Sequence, residues 1–230
     1  MEFVTLNIII TDLLNIIRSA KVNASEPISR KQLETWIHQY RALLLKRDLD
    51  KNKKPNPDYL QDIVVELEPV DYLGADTLIN SDNTSYRTVL QIPNTLDLNF
   101  NSGIMYIGDL SKNEIQLMSH LRSNRQVDRK YTKNDPTAYL KDRYIWVNNP
   151  NGLKYILVSG VFENPVEVYE LVNPLTQQKL ASYNIKYPIP MNLLPTLKEM
   201  ILSKELGIIV STLSDNTNDS NSLLEQNIKK

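Results

Sequence analysis

The chain has 230 residues with a net charge of −1 at pH 7, and 41% of them are hydrophobic and 23% charged. That length can bury a core as one large domain or two small ones, and the near-neutral balance argues against a dedicated nucleic-acid binder, which carries a basic excess. There is no cysteine, which excludes disulfides and thiolate metal sites and fits a reducing compartment.

The N-terminus, MEFVTLNIIITDLLNIIRSAK, is apolar, but Glu2 and Asp12 interrupt it. It has no basic leader region and no small-residue cleavage site, and it is too short to span a bilayer. The expectation is a protein made and kept in a cytoplasm, away from membranes. Phe3 to Arg18 is predicted as a first helix. Ten of the fifteen residues from Phe3 to Ile17 are apolar, more than a one-faced surface helix needs. The helix is therefore covered on more than one side, either within the monomer or between subunits.

After a loop from Lys21 to Pro27, the stretch Ile28 to Asp50 carries the clearest helical signal. Ser29 can cap it, Gln32 completes an S-x-x-Q capping box, and Ile28 and Leu33 can make a hydrophobic staple. Leu33, Trp36, Ile37, Tyr40, Leu43 and Leu44 form the expected apolar stripe, at steps of three and four. Arg30, Lys31, Glu34, Gln39, Arg41 and Lys46 form the expected polar face.

Asp50 to Pro57 is a polar break with two prolines. Alternation in Ile63 to Glu68 then predicts a strand, and Asp71 to Ser85 a long polar loop. Tyr86 to Pro93 and Gly103 to Gly108 read as further strands, Asn113 to Leu121 as a short helix, and Asn124 to Asp142 mostly as loop. Arg143 to Val147 and Lys154 to Phe162 read as a strand pair joined by NNPNG. Pro165 to Leu171 and Pro190 to Leu206 read as helices, the second capped by Gly207. The expected fold is α+β, a helical layer from both chain ends with an inserted antiparallel β module. The expected division is 1–57 helical, 58–172 β-rich, 173–210 a loop and helix completing the helical part, and 211–230 a tail.

Catalytic chemistry is hard to find. The only histidines are His38 and His120, and His38 has no ligand-type partner at helical spacing, so it is expected to be a structural or surface residue. Gly103 to Gly108 has a Walker-like spacing, but Asp109 stands where the lysine belongs. Glu66 and Glu68 share one side of a strand and read as a solvated face. No enzyme, metal or cofactor is expected. From His120 to Tyr144 there are seven basic residues and three acids, a local balance of +4, interleaved with Tyr131, Tyr139 and Tyr144. Arg122, Arg125, Arg129, Lys130 and Lys133 there can meet an acidic protein or phosphates, so a nucleic-acid-binding module is the competing reading. Only four of the twenty residues from Ser211 to Lys230 are apolar: Leu213, Leu223, Leu224 and Ile228. Ser222 and Glu225 make a capping box ahead of Ile228, so the tail is expected to dock on a partner as a short amphipathic peg.

The order of elements, with SRKQLETWIHQYRALLLKRDL, QIPNTLDLNFNSGIMYIGD and RYIWVNNPNGLKYILVSGVFENPVEV, resembles head-to-tail connector proteins of short-tailed bacteriophages. Within that group it is most similar to the ring proteins of crAss-like phages, over roughly residues 1–210. The resemblance implies a structural virion protein at the head–tail junction. Its copies, typically twelve, would ring the DNA channel beneath the portal, beside other tail or ring proteins. It implies no catalytic residues and only non-specific proximity to DNA.

Overall fold

The computed structural model describes residues 3–19, 28–51, 56–70, 85–99, 102–125, 128–132, 134–148, 152–179, 185–205 and 207. In chain order the elements are α1 (Leu6–Ser19), α2 (Arg30–Lys51), β1 (Gln61–Pro69), β2 (Ser85–Thr88), β3 (Ile104–Gly108) and β4 (Gln116–Leu117). They continue with α3 (His120–Asn124), β5 (Thr137–Lys141), β6 (Tyr144–Asn148), β7 (Tyr155–Gly160), α4 (Pro165–Glu170) and α5 (Leu194–Lys204). The fold is mixed α+β.

Ser29 caps α2 as its sequence predicts, its hydroxyl accepting from the Gln32 N–H at 3.1 Å. The buried face of α2 is not the expected stripe. Leu33, Ile37, Arg41, Leu44, Leu45 and Leu49 are buried, while Trp36 and Tyr40 lie half-buried at the edge and Leu43 is exposed. The face is rotated because Arg41 finds partners inside the protein, which apolar periodicity alone does not register. Leu33, Ile37 and Leu44 share one apolar cluster with Leu6, Ile9, Ile10 and Leu13 of α1 and Leu194, Leu197, Ile201 and Leu202 of α5. A smaller cluster, Leu45, Leu49, Tyr59, Leu96 and Val161, joins the second half of α2 to one end of the sheet.

The sheet has seven strands in the order β3-β7-β1-β2-β6-β5-β4, antiparallel except for the parallel β4–β5 pair. It curls into a nearly closed barrel. At the join, Gly108 bridges Glu114, and the Ile115 N–H donates to the Ile107 carbonyl at 2.8 Å. Along β1, Ile63, Val65 and Leu67 point inward, which is the period-two pattern a half-buried strand requires.

Three expectations fail here. β6 and β7 do not pair with each other: β6 lies between β2 and β5, and β7 lies between β1 and β3. Two adjacent apolar strands read as a hairpin from sequence, but β7 has both edges taken by strands distant in the chain, and β6 pairs with distant β2 on one edge and with its chain neighbour β5 on the other. Asn113 to Leu121 is not a helix: its first part pairs as bridge and strand, and α3 begins only at His120. Ile115 and Leu117 alternate toward the barrel core, the strand period overriding a short ambiguous run. Thr137 to Lys141, placed in a loop, is β5. It turns into β6 through Asp142 and Arg143, both with positive φ (53° and 65°), the pattern of a tight hairpin. An Asp-Arg pair carries no glycine to announce that turn. Two ends also shift: β2 stops at Thr88, and α5 starts at Leu194 after a 3-10 turn over Met191–Leu193. Gly207, placed as the helix cap, has a φ of 61°.

Candidate interaction surfaces

The basic segment is held on the barrel by aromatic stacking. The His120 ring lies 4.9 Å from that of Tyr139, which stacks on Trp146 at 6.0 Å. Ser123 is buried and accepts from the Asn148 amide at 2.6 Å. With those side chains turned inward, Leu121, Arg122 and Arg125 are turned out. Arg129, Lys130 and Tyr131 follow, also exposed, with the Lys130 ammonium 5.4 Å from the centre of the Tyr131 ring. Among the described residues, Arg122, Arg125, Arg129 and Lys130 make no ion pair. Lys133 and the tail residues Leu213, Leu223, Leu224 and Ile228 lie outside the described residues. Glu66 and Glu68 sit on a strand face beside Lys154 (3.6 Å) and Arg87 (2.9 Å), and those cations neutralise them.

Sequence reasoning missed one group entirely. Arg41 is fully buried, its Nε donating to the Pro188 carbonyl and one terminal nitrogen to the Phe162 carbonyl, both at 2.8 Å. Its guanidinium lies over the Tyr187 ring at 5.6 Å. One side chain thus ties α2 to the 187–190 segment and to the end of the barrel. The signal was available: Arg41 is four residues from both Ile37 and Leu45 and falls on the buried stripe.

His38 belongs to the same cluster, hydrogen-bonded to the Tyr187 hydroxyl at 2.8 Å. Burial and then the nearby Arg41 charge lower its pKa to about 4. Its contact with Glu34 (3.7 Å) is therefore not an ion pair at neutral pH. A folded-state pKa below the unfolded 6.5 stabilises the fold above pH 6.5, and that stability is lost as the pH falls toward 4. The loss is on the order of 3 kcal/mol. Denaturant titrations at pH 7.5 and 4.5 should show a smaller drop for His38→Asn than for the parent chain. An equal drop in both would remove His38 as the cause.

A groove of about 770 Å³ runs between β3 and β4, lined among others by Ile104, Ile107, Ile115, Leu117 and Leu140, with His120 and Arg122 at its rim. The described residues contain no cluster of acids and histidines that could hold a metal ion. None of their helices is long and apolar enough to cross a membrane. Among the described residues, exposed charge and an apolar groove lie side by side around α3.

A family model described as phage tail ring protein 2 matches residues 8–228. The chain belongs to that family. No curated protein matches it. Membership in a phage tail ring protein family makes this a ring-forming structural component of the virion tail, in agreement with the resemblance to crAss-like phage ring proteins.

Proposed function

We propose that copies of this chain close into a ring at the head–tail junction, beneath the portal, and lengthen the channel through which DNA leaves the capsid. The observation that carries this reading is the family match, which spans nearly the whole chain. The ring would hold roughly twelve copies, with a heterologous interface in which each subunit presents two different patches. In this reading the two chain ends act together as one helical layer, supported by the shared apolar cluster of α1, α2 and α5. Phe3, just ahead of α1, and Ile8 within it, about half exposed at 53% and 44%, leave apolar surface to share with a neighbour. Negative-stain imaging and mass measurement of the purified chain, alone and with portal, test the reading. Monomers under both conditions would sink it.

The tail peg is the proposed attachment to the portal. Changing Leu223, Leu224 and Ile228 together to Asp should leave rings intact but unable to bind portals. Undiminished portal occupancy would exclude the peg.

The competing reading, a nucleic-acid-binding module, draws support from the unpaired charges of Arg122, Arg125, Arg129 and Lys130. On the ring reading these residues meet acidic protein or passing DNA without sequence preference, so Arg125, Arg129 and Lys130 changed to Ala should preserve the fold and weaken only salt-sensitive contacts. Tight, sequence-selective DNA binding by the purified chain would favour the competing reading.

A further inference from the structure

The barrel is fastened at one end of its seam and open along the rest. The Gly108–Glu114 bridge and the Ile115-to-Ile107 hydrogen bond hold the two edges together. Beyond them, among the described residues, no ladder joins Ile104–Tyr106 of the β3 edge to Leu117 and Met118 on the other side. The groove in that gap opens onto Ile104, Ile107 and Ile115, which belong to the barrel core. Unpaired strand edges beside an apolar core offer both hydrogen-bonding groups and burial to an incoming strand. Tyr106 lines the same groove, and its hydroxyl is buried without a hydrogen-bond partner. A buried hydroxyl of that kind is costly unless something supplies the missing bond.

The sequence holds a segment suited to the gap. Residues 208–213, IIVSTL, directly follow Gly207, and four of the six are β-branched (Ile208, Ile209, Val210 and Thr212). As a strand they would span about 20 Å. Asp215 and Asp219 come next, and no basic residue occurs again until Lys229. The rim of the groove carries His120 and Arg122, with Arg125 close by at the C-terminal cap of α3. The charges are complementary: an acidic stretch follows the apolar one, and a basic ridge borders the apolar groove.

Resting on the ring reading, we propose that residues 208–213 of one copy add a strand to the open β3–β4 seam of the next. Asp215 and Asp219 then lie along the neighbour's basic α3. The donor leaves from α5, which is packed in the helical cluster, while the acceptor seam opens into the separate barrel core. Donor and acceptor are different patches, so the contact repeats head to tail and closes around a ring with none left unfilled. The strand also carries the tail beyond it out of its own subunit, toward the partner that the peg engages.

The chain has no cysteine, so engineered pairs report cleanly. Two full-length variants, Ile209→Cys and Met118→Cys, would be mixed, assembled and oxidised, and the mass of the assembly measured on the same sample. The exposed Gln116→Cys serves as a second acceptor in case the half-buried Met118 position disturbs folding. The expected result is a covalent dimer that appears in the mixtures and is absent from each variant alone. A chain carrying both substitutions should yield a ladder of linked copies. Rings that form without the covalent dimer overturn the inference and leave the ring reading standing. So does a doubly substituted chain that closes on itself as a monomer. A sample with neither rings nor dimers overturns both.

Discussion

Arg41→Met is expected to lower the stability of the folded chain by about 2–4 kcal/mol, seen as a drop of roughly 6–12 °C in Tm. Methionine keeps much of the stem's volume but donates nothing. The carbonyls of Phe162 and Pro188 would each lose a 2.8 Å hydrogen bond, and both residues are buried where water cannot replace it. Desolvation lowers the pKa of the guanidinium, so the substitution also removes the cost of burying a charge and offsets part of the loss. The orphaned carbonyls still dominate, because Arg41 is the side chain that donates to both, while the His38–Tyr187 hydrogen bond holds only the 187–190 segment to α2. Arg41→Lys should rescue little, since a single ammonium cannot reproduce the planar fork. A Tm unchanged in Arg41→Met would mean that Arg41 fills space without holding the segments together.

Gly103→Ala should be comparably damaging, at about 3 kcal/mol. A methyl group there would sit 2.5 Å from the Val161 carbonyl oxygen and 2.7 and 2.8 Å from the Leu96 nitrogen and oxygen. All three are backbone atoms. They are fixed by the Leu96-to-Val161 hydrogen bond (2.9 Å) and by the Val161 N–H bonded to the Gly103 carbonyl (2.8 Å). No side chain can turn aside, so the chain must separate β3 from the β7 end or break those bonds. Gly152→Ala is the control. Nothing lies within 4 Å of its Cβ position, and only its positive φ of 76° opposes the change, at about 1 kcal/mol. Thermal melts of the two variants check the ranking, and equal losses would show that crowding at Gly103 is not the cause.

Gly103 and Gly108 also show how spacing misleads. Their separation mimics a phosphate-binding loop, but each is glycine because something lies where a side chain would be. At Gly103 this is backbone, and at Gly108 it is the Tyr106 ring. Neither reason is written in the spacing.

The sequence by itself determined the elements whose signals are local. The Ser29 cap, the apolar α1, the alternation of β1 and the terminal helix follow from period and capping, which depend only on neighbours in the chain. It also determined the absence of thiolate chemistry and the placement of basic charge on one exposed segment. Only the tertiary structure decided which strands pair, because β6 and β7 could bond to each other as well as to the strands they do pair with. It decided that Asp142 and Arg143 turn a hairpin, which needs a backbone that their side chains do not advertise. It decided that Arg41 is core and Trp36 edge, since a charge enters the interior only when carbonyls from remote segments converge on it. The open seam is of the same kind: an unpaired edge belongs to the closed sheet, and no single strand carries the information that its neighbour is missing.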